Sequence, residues 1–170
     1  YNSENKNYLK TDVPAHVLQY LQYANTSEHG KRFKVVVVDT LNGIMVADEM
    51  RRCKEKGYDK WQDLAQSIYD IVDYALTMRD GLTVIFVAHT QTDHDDNGYM
   101  FTRIKTSGRK LDKITLESKF TTVLLAKCVD GKYVFETQAD RSTAKSPMGL
   151  FETKEIPNDI QSVIDALNEF

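Results

Sequence analysis

The order of apolar and polar residues along the chain predicts a mixed α/β protein. Residues 35–38 are four valines in a row, so this segment has no polar face. Such a run is typical of a strand covered on both sides, as in the centre of a parallel sheet. Residues 82–91, LTVIFVAHTQ, form a second apolar run, and residues 59–79 between them repeat apolar side chains at helical spacing. We therefore predict a strand–helix–strand crossover with parallel strands.

Weaker patterns predict the remaining elements. An amphipathic helix follows the candidate caps Thr11 and Asp12, a charged helix covers about 44–56, and the closing segment IPNDIQSVIDALNEF has helical periodicity. The segments KFTTVLLAKCV and KYVFETQA flank Asp130-Gly131, a strong turn signal. We therefore predict an antiparallel hairpin on the C-terminal side of the sheet.

Composition limits the class of protein. The chain has 170 residues, of which 41% are hydrophobic, and this is enough for residues 1–170 to form a single domain with a core. The net charge of −3 gives no global sign of a nucleic acid or membrane partner. No apolar run reaches the length of a membrane span. We therefore expect no membrane partner. The two cysteines, Cys53 and Cys128, lack metal-ligand spacing, so we expect a reducing compartment, the cytoplasm.

Polar side chains follow the predicted strands at the ends where parallel sheets bind ligands. They are Asp39-Thr40, His89-Thr90-Gln91 and, after a later strand, Asp140-Arg141. A carboxylate in this position can hold the water shell of a Mg²⁺ that bridges nucleotide phosphates. Each residue also has a structural interpretation: Asp39 can cap the next helix, His89 can be a hydrogen-bonded core residue, and Gln91 can cap a helix.

Several segments in this order resemble a known family. VVVVDTLNGI, TVIFVAHTQ and FETQADRSTAKSPMGLF look like the second half of a RecA-type P-loop ATPase core. The chain is similar to phage-encoded RecA-like ATPases associated with recombination and single-strand annealing, which carry NYL.TD, RR..EKGYDK, a KITLES.FT-like stretch and RSTAKSP.GLF in this order. The resemblance covers nearly the whole chain. It implies a three-layer RecA-like P-loop NTPase core, with a central, mainly parallel sheet and an antiparallel hairpin on its C-terminal side.

The resemblance also implies roles for single residues. Asp39 corresponds to the Walker B aspartate, which holds Mg²⁺ through water, and Thr40 occupies the adjoining position of the ATP site. His89 and Gln91 fall at the phosphate-sensing strand end. Arg141 and Lys145 fall where related folds present basic fingers to the nucleotide of a neighbouring subunit, which implies a homo-oligomer. The alternative for these two residues is a solvated basic loop.

Residues 92–110 show no sustained pattern, and we expect a long mobile loop there. The resemblance implies that this loop binds DNA. Its aromatic side chains can stack on bases while its cations hold phosphates, a combination suited to single-stranded DNA. The candidate residues are Tyr99, Phe101, Arg103, Lys105, Arg109 and Lys110. Because three aspartates in its first half repel phosphate, a flexible loop of mixed charge is the alternative.

The pattern GxxxxGK[ST] does not occur in these 170 residues. The segment EHGKRF contains Gly30-Lys31 but lacks the upstream glycine and the following serine or threonine. In the family the P-loop precedes NYL, so we expect the natural chain to supply it before Tyr1. These residues alone should then bind ATP poorly, and the general base is left unassigned.

Three functions are consistent with the sequence. The first is an ATP-binding and ATP-hydrolysing RecA-like protein that acts in phage DNA recombination or single-stranded DNA handling in the host cytoplasm. The second is a non-catalytic module that binds DNA or a partner on the same α/β scaffold. The third is a metal-dependent phosphodiesterase built from Asp39, His89, Asp93, His94 and Asp95, although an exposed polar turn also explains DHDD.

Overall fold

The computed structural model describes residues 3–106 and 115–170. Its helices are α1 (Pro14–Thr26), α2 (Leu41–Arg51), α3 (Tyr58–Ala75) and α4 (Ile160–Glu169). Its strands are β1 (Val35–Asp39), β2 (Thr83–Val87), β3 (Thr90–His94), β4 (Met100–Ile104), β5 (Leu125–Val129), β6 (Lys132–Glu136) and β7 (Glu155–Pro157), and its short 3₁₀ helices are Gly30–Arg32 and Leu116–Lys119. The mixed α/β class is therefore confirmed.

The described residues form two compact units. Unit 1 contains residues 3–89, 105–106 and 115, and unit 2 contains residues 90–104 and 116–170. The single domain predicted for residues 1–170 stays a prediction. Among the helices of both units, none combines the length and apolar character that a membrane span requires.

Unit 1 contains the predicted crossover. β1 and β2 pair in parallel, from Val35 opposite Thr83 to Asp39 opposite Val87, and α3 lies between them in the chain. The prediction that β1 is covered on both sides is wrong for the described residues. Val36 and Val38 are buried, whereas Val35 and Val37 are 38% and 51% exposed, because the described elements cover one face of this sheet.

The start of α2 differs from the prediction because of its cap. The helix begins at Leu41 and not near residue 44, since the Thr40 hydroxyl accepts a hydrogen bond from the Gly43 N–H at 3.0 Å. Asn42 and Gly43 therefore belong to the first turn of α2. The helix α1 begins at Pro14, with Val13 as its N-cap, and neither predicted cap residue occupies that position.

The structure differs from the prediction at residues 82–104, where a strand to residue 91 and then an irregular loop were expected. β2 ends at Val87, and residues 90–104 form an antiparallel hairpin of β3 and β4. Its turn is held by Asp95, whose Oδ1 accepts the N–H groups of Asn97 and Tyr99 at 2.9 Å each. Because every residue of β3 (TQTDH) is polar, this strand has no apolar alternation to reveal it.

Unit 2 contains the hairpin predicted at Asp130-Gly131. β5 and β6 pair in antiparallel fashion around this turn, and β7 adds to the outer edge of β6. Both turn residues have positive φ, 49° and 78°, as this kind of tight turn requires. The antiparallel C-terminal hairpin is confirmed.

A buried carboxylate organises unit 2. Glu136 is 4% exposed, and its Oε2 lies 2.7 Å from the Lys127 ammonium. Its Oε1 accepts hydrogen bonds from the Ser142 hydroxyl at 2.5 Å and the Asp140 N–H at 3.3 Å. Burial raises the pKa of Glu136, but the hydrogen bonds from Lys127 and Ser142 outweigh it. The pKa of Glu136 therefore lies below its usual value.

We predict that Glu136→Gln removes an acid-dependent part of the stability of unit 2. A lowered folded pKa means that the ionised Glu136 stabilises the fold above the unfolded-state pKa of glutamate, and that this stability is lost as pH falls through the folded pKa. The substitution should lower the free energy of unfolding at neutral pH by about 1.5–3 kcal/mol, because it removes a charged hydrogen-bond acceptor. It should also flatten the dependence on acid pH.

Urea unfolding at a series of pH values, followed by circular dichroism, measures both effects. The matched control is Glu152→Gln, which changes an exposed glutamate of the same unit and should leave both quantities unchanged. An acid dependence in Glu136→Gln identical to that of the unmodified protein would contradict the prediction.

Candidate functional site

Parallel pairing brings two of the predicted site residues to one edge of unit 1. Asp39 is the last residue of β1 and lies opposite Val87, the last residue of β2. His89 follows two residues later. Because the strands are parallel, their carboxyl ends lie on the same side of the sheet. Asp39 and His89 are both exposed there.

The Asp39 carboxylate is open to solvent. Among residues 3–106 and 115–170, none forms a hydrogen bond or an ion pair with it. The Asp39–Thr40 peptide bond is cis, and Thr40 rather than Asp39 caps α2. The alternative interpretation of Asp39 as a helix cap is therefore wrong. An exposed carboxylate at a strand end fits a Mg²⁺ ion that retains its water shell.

A buried asparagine joins the backbone of His89 to that of Lys105. Asn42 is 7% exposed, and its Oδ1 accepts a hydrogen bond from the His89 N–H at 2.6 Å. Its Nδ2 donates to the Lys105 carbonyl at 2.5 Å. The Lys105 N–H in turn donates to the His89 carbonyl at 2.8 Å. Sequence reasoning missed this residue because the helix was predicted to begin near residue 44, after Asn42. The signal that could have revealed it is a polar residue among the apolar positions Leu41, Ile44 and Met45.

Gln91 belongs to the hairpin of unit 2. It lies on β3, opposite Arg103, and its Nε2 donates to the Asp93 carboxylate at 3.1 Å. The prediction that His89 and Gln91 end the same strand is wrong, because β2 ends at Val87 and β3 begins at Thr90.

Arg141 lies beside the same hairpin. Its carbonyl accepts the Thr102 N–H at 2.7 Å, and the Thr143 N–H donates to the Thr102 carbonyl at 3.0 Å. The arginine is exposed and has φ = 105°, a region that favours glycine. Backbone strain of this kind costs roughly 1–3 kcal/mol and persists where the surroundings fix the conformation.

Two buried carboxylates supply that restraint. Glu136 binds Asp140 and Ser142 on either side of Arg141, as described above. Glu117 is 5% exposed, and its Oε1 accepts the Ile104 N–H at 2.8 Å and the Thr143 hydroxyl at 3.2 Å. The segment that carries Arg141 is thus fixed on both sides. Sequence reasoning missed both glutamates, since a single charged residue next to apolar ones gives no sign that it is buried.

The backbone of Lys145 is firmly paired, whereas its side chain makes a long contact. Its N–H and carbonyl pair with Val123 at 2.9 and 2.8 Å. Its ammonium lies 3.5 Å from the Ser118 carbonyl, and the residue is half-buried.

The predicted DNA-contacting residues lie in different environments. Tyr99 is 69% exposed after the hairpin turn, whereas Phe101 is half-buried. The Arg103 guanidinium lies 2.5 Å from the Asp93 carboxylate. Lys105 is exposed, although its backbone is held by Asn42 and His89. The predicted residues Arg109 and Lys110 lie outside the described residues.

The side chains of the phosphodiesterase hypothesis do not assemble into a metal site in the part of the chain that the structure describes. No group of three or more histidine, cysteine or acidic residues there could hold a metal ion. Asp93 pairs with Arg103, and Asp95 accepts backbone N–H groups within the turn. These contacts explain DHDD as a structural turn.

Comparison with known proteins identifies the family. A family model described as "AAA domain" matches residues 3–148, which is most of the chain. No curated protein and no solved structure matches it. The matched range includes Asp39, His89 and Arg141. The mixed α/β architecture, with its parallel β1–β2 pair, is consistent with an AAA-type fold. The chain belongs to the AAA domain family, whose match indicates a nucleotide-binding, ATPase-like function.

Proposed function

We propose that the chain is part of a phage-encoded RecA-like ATPase core that acts in DNA recombination or single-stranded DNA handling in the host cytoplasm. The observation that supports this most directly is the exposed Asp39 carboxylate at the carboxyl end of β1. It lies at the same sheet edge as His89 and directly before the capped helix α2. Ligands of open α/β sheets bind at this edge.

The ligands of this site are ATP and Mg²⁺. Asp39 would hold the ion, and the ion would neutralise phosphate charge. The Thr40 hydroxyl accepts the Gly43 N–H, so its own O–H is available to donate toward a phosphate oxygen. His89, which is exposed at the same sheet edge as Asp39, senses the phosphate or orients the attacking water.

Arg141 and Lys145 act as basic fingers on the nucleotide of a neighbouring subunit in a homo-oligomer. What supports this role is that Arg141 presents an exposed cation from a backbone segment fixed by Glu136 and Glu117. A guanidinium held in this way neutralises charge on the transferring phosphoryl group.

The β3–β4 hairpin is the DNA-contacting element of the proposal. Tyr99 offers an exposed ring on which a base can stack. Lys105, at the base of the hairpin, supplies an exposed cation for phosphate. The paired Arg103 contributes less to this surface, because the Asp93 carboxylate already neutralises its charge.

We predict that Asp39→Asn lowers ATP hydrolysis by the natural full-length protein at least about 100-fold, since it removes the charge that orients the metal. The free energy of unfolding should stay within about 0.5 kcal/mol, because the side chain is exposed. Phosphate release and urea unfolding measure the two quantities. Asp80→Asn, an exposed aspartate of the same unit, is the matched control. Unchanged turnover in Asp39→Asn would overturn the ATPase proposal. DNA binding that is indifferent to ATP, with no hydrolysis, would support the non-catalytic module.

A second prediction separates the charge of Arg141 from its backbone. Arg141→Gly should lower the rate of ATP hydrolysis at least about 10³-fold. The free energy of unfolding should stay the same or rise by up to about 1 kcal/mol, because glycine tolerates positive φ. Arg141→Ala should lose the same activity without that gain in stability. Retained hydrolysis in both variants would show that Arg141 is a solvated loop residue.

A third prediction concerns the hairpin. Tyr99→Ala should weaken binding of single-stranded oligonucleotides by about 1–3 kcal/mol, the range for one base stacked on an aromatic side chain. Tyr99→Phe should retain the affinity, since it keeps the ring. Tyr133→Ala is the matched control, because Tyr133 is 74% exposed on another strand of the same unit. Fluorescence anisotropy measures the affinity, and equal effects of Tyr99→Ala and Tyr133→Ala would contradict a specific role for the hairpin.

A further inference from the structure

The base of the hairpin is closed by a side chain from outside it. In an antiparallel hydrogen-bonded pair, the two residues normally exchange two N–H···O bonds. His89 and Lys105 make one of them directly, from the Lys105 N–H to the His89 carbonyl. The Asn42 amide takes the place of the other, by accepting from the His89 N–H and donating to the Lys105 carbonyl.

A primary amide satisfies both groups. It offers one carbonyl acceptor and two N–H donors on the same short side chain. An aspartate at position 42 keeps the acceptor but has no donor for the Lys105 carbonyl. A leucine of similar size has neither. Because Asn42 is buried, each missing bond leaves a backbone group without compensation from bulk water.

The same residue is tied to the proposed nucleotide site. Asn42 is the second residue of α2 and follows the Thr40 cap, and Asp39 directly precedes that cap. The helix and its cap fix these residues relative to one another, so a shift of Asp39 and Thr40 also moves the amide. The chain enters the hairpin after His89 and leaves it before Lys105, so the amide holds both entry and exit.

We propose that Asn42 is a positioning residue that couples nucleotide binding at Asp39 to the hairpin of residues 90–104, an inference that rests on the proposed function. It touches neither nucleotide nor DNA. Through its two hydrogen bonds, a shift of the β1–α2 junction is passed to His89 and Lys105. These residues flank the DNA-contacting hairpin in the chain. A coupling of this kind is measured as the ratio of DNA affinities with and without nucleotide.

The test uses the natural full-length protein and two variants, Asn42→Asp and Asn42→Leu. The control is Asn25→Asp, because Asn25 also bridges two groups of unit 1, accepting the Arg79 N–H at 2.9 Å and donating to the Tyr74 hydroxyl at 3.1 Å. Oligo-dT affinity is measured with and without a non-hydrolysable ATP analogue. Amide hydrogen exchange of His89 and Lys105 is measured in the absence of both ligands.

The ratio of oligo-dT affinities with and without the analogue should be at least about fivefold smaller in both Asn42 variants than in the unmodified protein. The affinity for the analogue alone should change less than about twofold. Both should speed exchange at Lys105, whose own hydrogen bond is not altered. Asn25→Asp should do neither. Coupling retained in Asn42→Asp, or Lys105 exchange no faster than in the control, overturns the role of Asn42. An unmodified protein that binds no analogue overturns the proposed function instead, and the exchange experiment still decides whether Asn42 closes the hairpin base.

Discussion

Parallel pairing of β1 with β2 is the constraint on which the rest of the site depends. Because the two strands run in the same direction, Asp39 and the residues after Val87 emerge at one edge of the sheet. The Thr40 cap then starts α2 immediately, and this brings Asn42 within hydrogen-bonding distance of His89. An antiparallel pair would place the two strand ends at opposite edges. Strand direction therefore decides which residues meet at this edge of the sheet.

Unit 2 depends on a different kind of interaction. Residues 140–144 contain little regular structure, and buried carboxylates fix them in place of a continuous ladder. Glu136 and Glu117 each accept bonds from two parts of the chain, so their burial is compensated by hydrogen bonds and, for Glu136, by the Lys127 charge. Such a network specifies one arrangement because a partly satisfied version is costly. It explains how a non-glycine residue with positive φ is retained at position 141.

The parts of this protein that sequence could predict are those with a local, periodic signal. The valine run, the helical spacing of residues 59–79 and the turn at Asp130-Gly131 each produced the expected element. The β3–β4 hairpin was missed because β3 consists of polar residues only and therefore shows no apolar alternation. Asn42 was missed because its partner Lys105 lies 63 residues away, and no local pattern encodes such a bond.

The exposed face of β1 affects how these residues behave in water. Val35 and Val37 project from the same side of the strand, and Val87, at the end of the neighbouring strand, is 40% exposed. Together they expose apolar side chains to water, which is unfavourable. Contact with another apolar surface would remove this exposure and lower the free energy. Excluded salts such as sulfate strengthen this tendency, whereas urea weakens it. Solubility of these 170 residues should therefore respond to salt type more strongly than their modest net charge suggests.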